Sequence, residues 1–161
     1  MGGAVACIIP YDADDELLFG LLDQINGVLL TGGRVELIDD MTGEFHPYTK
    51  TVKKIVDYSI NKTDSGDYFP VLGICQGIQV LNAVTFEKDD GVLVVAPDLN
   101  TLTKADFMVD PLKGSKYLSG LSTHVLNYIK NSGFELHLHN FGNPLSMFKD
   151  QPQLKDFWKV I

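Results

Sequence analysis

One stretch, Asp67–Asn82, constrains the folding of this chain more than any other, and it reads DYFPVLGICQGIQVLN. It begins with an apolar run containing β-branched residues, which is typical of a strand buried on both faces. The pentapeptide GICQG follows at once, and apolar side chains then recur at helical spacing. A strand, a G-x-C-x-G turn and a helix in this order form the cysteine version of the nucleophile elbow. The pattern therefore predicts a sharp backbone turn at Cys75.

The residue types of this turn suit nucleophilic chemistry. Glycines on either side of Cys75 carry no Cβ atoms, so a tight strand-to-helix turn can close around it. At the start of a helix, unpaired N–H groups and the macrodipole favour a thiolate. The backbone N–H of Gln76 would point to the place where an oxyanion forms. The alternative is a buried cysteine beside glycines that serve close packing, but the flanking strand and helix favour catalysis.

A second strand ends at a pair of glycines. Val28–Thr31 is apolar and runs directly into Gly32-Gly33, which would place bare backbone N–H groups at the carboxyl edge of the sheet. In open α/β sheets that edge is where ligands bind. A simple tight turn is the other interpretation of the two glycines.

The remaining segments alternate between strand and helix patterns, which predicts an α/β fold with a mainly parallel sheet and flanking helices. Cys7 lies in an apolar run and is predicted to be a small core residue. His46, beside a proline at a helix start, is interpreted as an exposed loop histidine. In chain order the further predictions are a strand at Ala4–Pro10, helices after Asp15 and from Phe45 to Ser59, a hairpin over Phe86–Ala96, irregular chain over Asn100–Gly114, a helix over Leu121–Ile129, a half-buried strand at Phe134–Leu138, a loop at Asn140–Pro144, and a helix-to-strand passage over Gln151–Ile161.

Length and charge limit the possible functions. With 161 residues the chain is predicted to be one domain, and its net charge of −8 argues against nucleic acid and anionic membrane surfaces as partners. No apolar run approaches the roughly 18 residues that a membrane span needs. Met1-Gly2-Gly3 opens directly into an apolar run, so no signal peptide is expected. Two cysteines do not indicate a disulfide framework.

Three segments in this order resemble the gamma-glutamyl hydrolase family, a branch of the class I glutamine amidotransferase-like superfamily. They are Ile25–Leu37, Asp64–Leu81 and His139–Val160. The resemblance implies a flavodoxin-like three-layer fold and removal of gamma-linked glutamates from folylpoly-gamma-glutamates, with a Cys-His-(Glu) arrangement and neither metal nor other cofactor. It also implies a small gamma-glutamyl substrate. Members of the family are often lysosomal, vacuolar or secreted. The site residues that it implies are Cys75 as the nucleophile, Gly33 and Gln76 as backbone N–H donors to the oxyanion, and Gly32 and His139 in the substrate cleft.

The chain departs from that family at both ends. The family's catalytic histidine lies in a later segment, roughly G-V-Q-W-H-P-E, which this sequence lacks, and the first strand and helix are also missing. We therefore expect an incomplete single domain over residues 1–161 that hydrolyses poorly alone. Its bare sheet edges would invite a second copy or a partner chain. His137 or His139 could replace the missing base, although a polar surface face of the strand is the simpler explanation of both and the one we favour.

Two other functions stay open at this point. In glutamine amidotransferase chemistry the same thiol takes ammonia from glutamine for a synthase partner, although the Asp64–Pro70 approach favours the hydrolase. The chain could instead be a non-catalytic relic that serves as a structural subunit of a larger assembly. The missing histidine supports this last interpretation.

Overall fold

The structure is a computed structural model that describes residues 3–86, 94–95, 101–108, 110–133, 135–136 and 141–160. Its residues cluster in two compact units, Met1–Asp89 and Asp90–Ile161; the single domain over 1–161 stays a prediction. In the first unit the described elements are α1 (Asp15–Leu22), β1 (Val28–Leu30), α2 (Pro47–Asp64), β2 (Val71–Gly73) and α3 (Gln76–Phe86). Strands that alternate with helices confirm the predicted α/β class.

One cluster of buried apolar side chains in the first unit joins α1 to α2. Asp14 caps α1, because its carboxylate accepts a hydrogen bond of 2.9 Å from the N–H of Leu17. Side chains four residues apart lie on one helix face, so Leu18 and Leu22 are buried together. The buried cluster consists of Leu18, Leu22, Ile55 and Phe69.

The two strands pair in parallel, as the sequence predicts, with Val28 opposite Val71 and Leu29 opposite Leu72. Val28 and Val71 pack against the buried cluster. Because side chains alternate along a strand, Leu29 and Leu72 point to the other face, where they are 54% and 45% exposed. The sheet pair therefore has one buried face and one apolar, exposed face.

Helix α2 is hydrogen-bonded to the chain before β1 and to the chain just before β2. The hydroxyl of Tyr58 donates to Asp23 at 2.7 Å, and the hydroxyl of Ser59 donates to the carbonyl of Phe69 at 2.6 Å. The rings of Tyr58 and Phe69 meet edge to face, with centroids 5.2 Å apart. These contacts place the start of β2 against the helix and so set the position of the elbow that follows.

The second unit contains short elements. Those described are β3 (Val94–Val95), β4 (Leu102–Thr103), α4 (Pro111–Gly114), α5 (Thr123–Asn131), β5 (Glu135–Leu136), β6 (Phe141–Gly142), α6 (Leu145–Asp150) and α7 (Pro152–Phe157). Among the described residues, β3 pairs antiparallel with β6, β4 pairs antiparallel with β5, and α6 contacts α7. The buried apolar side chains described in this unit are Leu126, Met147 and Leu154.

Two predictions for the N-terminal segment are wrong. Ala4–Pro10 forms no strand, and Cys7 is exposed rather than part of the core. Val5 is 99% exposed, whereas Ile9 packs against the buried cluster. The physical reason is that a strand needs a neighbour for its N–H and C=O groups, and no described residue pairs with this segment.

Predictions for the C-terminal half are partly corrected. Most of the predicted hairpin over Phe86–Ala96 lies outside the described residues, but Val94–Val95 pairs with Phe141–Gly142, where a loop is predicted. The predicted irregular chain contains β4 and α4. The predicted strand at Phe134–Leu138 is represented by β5, in which Leu136 is exposed rather than buried. Short strands with long-range partners carry weak local signals, which explains these errors.

The burial of one face of α1 can be tested with two adjacent leucines, one buried and one exposed. Leu18→Ala should lower the free energy of unfolding by about 2–5 kcal/mol, because it opens a cavity at a fully buried position. Leu17→Ala is the matched control; its side chain is 47% exposed, so the loss should stay within about 0.5 kcal/mol. Urea unfolding followed by circular dichroism measures both. Equal losses would show that α1 does not pack as described.

Candidate active site

Cys75 has an unusual backbone conformation at the junction of β2 and α3. Its φ is +56°, and no other non-glycine residue in the described part of the chain has a positive φ. This left-handed region is uncommon for a residue with a Cβ and marks sites where the surrounding structure imposes strain. The thiol is exposed. The structure thus has the exposed cysteine turn that the sequence predicts.

The glycines of the G-x-C-x-G motif are required by close backbone contacts. A Cβ placed on Gly77 would overlap the carbonyl of Leu30, at the end of β1. A Cβ on Gly73 would lie 2.6 Å from the carbonyl group of Gly77. The turn is completed by hydrogen bonds from Gly77 N–H to the Ile74 carbonyl and from Ile74 N–H to the Leu30 carbonyl, each of 2.9 Å. The first turn of α3 can therefore pack against β1 only without a side chain at Gly77, and against the end of β2 only without one at Gly73.

Gly32 and Gly33 lie beside the elbow. A Cβ on Gly32 would be 3.5 Å from Cys75 Sγ, and one on Gly33 would be 2.8 Å from Gln76 Oε1. Gly33 lies beyond the end of β1. Within the described residues, neither the Gly33 N–H nor the Gln76 N–H is bonded to a backbone carbonyl of another element. Both are available as donors, and their convergence on one oxyanion near Sγ stays a prediction.

The side chain of Gln76 makes contacts that sequence reasoning missed. Its Nε2 donates to the carbonyl of Val35 at 2.5 Å, and its Oε1 accepts from the N–H of Val35 at 3.0 Å. The only available signal was a polar residue inside an otherwise apolar motif. The prediction concerned only the backbone N–H of Gln76.

The chain after Gly33 leads to α2 through a hydrogen-bonded turn. The N–H groups of Thr42 and Met41 both donate to the Asp39 carboxylate at 2.9 Å. These bonds hold the pKa of Asp39 below its usual range, Thr42 contributing most. The carbonyl of Leu37 accepts from His46 N–H at 3.0 Å and from Thr49 Oγ1 at 2.6 Å. The far end of this segment is therefore fixed to α2.

His46 is the histidine that the structure describes in the first unit, and it forms no hydrogen bond with Cys75. It occupies the N-cap position of α2 without a side-chain capping bond and is half-buried, not exposed as predicted; its Nδ1 has no hydrogen-bond partner among the described residues. His124 is exposed on α5. His137 and His139 lie outside the described residues, so the cleft position of His139 stays a prediction. Within the same limits, Cys75 has no hydrogen-bond partner for its sulfur.

The described part of the chain contains no group of three or more His, Cys, Asp or Glu side chains that could hold a metal ion. None of its helices combines the length and the apolarity needed to span a bilayer.

An α/β fold with an exposed cysteine on a strand–turn–helix elbow defines the nucleophile-elbow class of proteins. Within that class the chain belongs to the Peptidase C26 family, whose sequence model matches residues 1–87. The predicted glutamine amidotransferase-like fold and the gamma-glutamyl hydrolase resemblance are confirmed by this match and by the relatives.

Three relatives illustrate the likeness. Gamma-glutamyl hydrolase B of Dictyostelium discoideum is 31% identical over 159 residues, which cover 99% of this chain and 44% of that protein. Gamma-glutamyl hydrolase of Rattus norvegicus is 28% identical, covering 99% and 47%. Gamma-glutamyl hydrolase 1 of Arabidopsis thaliana is 24% identical, covering 99% and 43%. The chain spans less than half the length of these relatives.

The steric requirement of the elbow can be tested with two helical glycines. Gly77→Ala should cost at least about 3 kcal/mol of stability or prevent folding, because the new Cβ meets the backbone of Leu30. Gly20→Ala is the control: no atom lies within 4 Å of its Cβ position, and alanine should stabilise α1 by about 0.5–1 kcal/mol. Chemical unfolding of both variants measures the change in the free energy of unfolding. A Gly77→Ala variant as stable as the parent chain would contradict the described packing.

Proposed function

We propose that this chain carries the nucleophile of a cysteine hydrolase that cleaves gamma-linked glutamyl bonds, with folylpoly-gamma-glutamates as the substrate class. The observation that carries the proposal is the exposed thiol of Cys75, held at φ +56° between β2 and α3 with Gly32 beside it. Family membership and the names of the relatives support the substrate class. A substrate-binding role for Gly32 and one for His139 belong to the same proposal.

The proposed chemistry has two steps. The Cys75 thiolate attacks the gamma-carbonyl carbon, and the carbonyl electron pair moves onto oxygen, where the N–H groups of Gly33 and Gln76 would stabilise it. When the carbonyl re-forms, the C–N bond breaks, and the departing amine, which in a folylpoly-gamma-glutamate is the alpha-amino group of the next glutamate, takes up the proton that the thiol lost. Water then attacks the thioester carbonyl as the C–S bond breaks, which releases the shortened folyl-gamma-glutamate as a free acid and regenerates the thiol.

The nucleophile assignment can be tested because Cys7 and Cys75 are both exposed and free. A gamma-glutamyl aryl thioester should acylate Cys75 in preference to Cys7, because only Cys75 has neighbouring oxyanion donors. Cys75→Ala should abolish the adduct, and Cys7→Ala should leave it unchanged. Mass spectrometry with peptide mapping locates the adduct. Equal labelling of both cysteines would contradict the assignment.

Turnover of an amide substrate is a separate test. The chain alone should hydrolyse a gamma-glutamyl amide slowly, because Cys75 has no hydrogen-bonded base in the described residues and such a base contributes about 10²–10⁴-fold. Steady-state release of glutamate, compared with Cys75→Ala, measures this. Rapid release that disappears in Cys75→Ala would show that the chain supplies its own base, with His139 the first candidate.

A second candidate function is that of a non-catalytic structural subunit. The observation in its favour is the exposed apolar pair of Leu29 and Leu72, since apolar side chains clustered on a sheet face favour contact with another chain. On this alternative Leu29→Ser with Leu72→Ser would abolish association in analytical ultracentrifugation, and the thioester would leave Cys75 unmodified.

A further inference from the structure

Gln76 uses its side chain as a clamp on the backbone of a distant segment. The residue is only 7% exposed, and both polar atoms of its amide are bonded to Val35, 41 residues earlier in the chain. One atom donates to the Val35 carbonyl and the other accepts from the Val35 N–H, as a neighbouring strand would do. A buried amide is satisfied in this way without any second side chain.

This clamp acts on the segment that contains the glycine pair. The Gln76 amide lies over Gly33, where a Cβ would come within 2.8 Å of its oxygen. Residues 31–36 form neither helix nor strand, so the hydrogen bonds of regular secondary structure do not fix their backbone. The segment is fixed at Leu37 by bonds to α2 and at Val35 by the Gln76 amide. At its other end β1 stops at Leu30, whose carbonyl accepts from the Ile74 N–H at 2.9 Å. Gly33 thus lies between the end of β1 and the anchor at Val35.

We propose that the Gln76 side chain is a positioning residue that holds the Gly33 N–H in place relative to Cys75. The inference rests on the proposed function, because it matters only if an oxyanion forms at this elbow. Donors that are already in position do not have to reorganise when the oxyanion forms, so no free energy is spent on moving them. The backbone N–H of Gln76 is itself one of the two proposed donors. One residue would therefore supply a donor and align the other.

The test compares two reactions of the same thiol. A gamma-glutamyl aryl thioester reacts through an oxyanion: Cys75 sulfur bonds to the carbonyl carbon, and the aryl thiolate leaves. Iodoacetamide reacts by direct displacement of iodide and forms no oxyanion. Both rate constants are measured at Cys75 in a Cys7→Ala background. Their ratio reports oxyanion stabilisation and cancels changes in thiol exposure or thiolate fraction.

Gln76→Met keeps the length of the side chain and removes both hydrogen bonds. It should lower the ratio of acylation to alkylation about 10–100-fold, the range expected when a reacting group is misplaced by about 1 Å. Gln24→Met is the matched control, because Gln24 also donates to a backbone carbonyl, that of Gly20, but lies just beyond the end of α1 and not at the elbow. Its ratio should equal that of the parent chain.

Gln76→Glu should make the ratio of acylation to alkylation depend on pH, which would not happen if the Gln76 side chain had a purely structural role. The introduced carboxylate accepts from the Val35 N–H but opposes the Val35 carbonyl; when protonated it can donate again. Burial beside a carbonyl favours the protonated form. The ratio, relative to that of the parent chain, should therefore rise as pH falls, whereas that of Gln76→Met should stay low at every pH.

The outcomes separate the two proposals. If the thioester acylates Cys75 in the parent chain and Gln76→Met leaves the ratio unchanged, or lowers both rates equally, the clamp proposal is overturned and the proposed function stands. A ratio for Gln76→Glu that does not change with pH also overturns the clamp. If the parent chain is not acylated at Cys75, the proposed function fails, and the positioning role fails with it.

Discussion

The rest of the first unit depends on the close approach of three backbones at the elbow. β1 ends against the first turn of α3 and leaves no room for a Cβ on Gly77, and β2 ends against the same turn and leaves no room for one on Gly73. Parallel pairing of β1 with β2 sets the direction from which the chain enters this turn. Because protein interiors are closely packed, a displacement at this point would pass to the sheet pair and to α3 together.

The same packing explains why Cys75 stays in a left-handed conformation. Strain of this kind costs about 1–3 kcal/mol and persists only where neighbouring structure determines it. Here the hydrogen bonds of Ile74 and Gly77 define the turn, and the buried face of α3 anchors it. In this conformation, after the end of β2, the thiol of Cys75 is exposed beside Gly32. The residue whose backbone is strained is therefore also the residue whose thiol is exposed.

Predictions succeeded where the signal was local. The elbow and the strand at Val28 lie within short apolar runs bounded by glycines, and the structure has both. The helix predicted over Leu121–Ile129 is also present, as α5. Ala4–Pro10 has an equally apolar pattern but forms no strand, because a strand depends on a neighbour that composition cannot supply. Cys7 was misjudged for the same reason.

By itself the sequence determined the class of fold, the turn at Cys75 and the need for glycines around it, since each follows from residues adjacent in the chain. Only the tertiary structure decided that the Gln76 amide bonds Val35, that Gly33 lies beneath it, and that Leu29 and Leu72 share an exposed face. Such contacts join segments some forty residues apart. Their register and distance are set by how helices and strands pack, which no local pattern encodes.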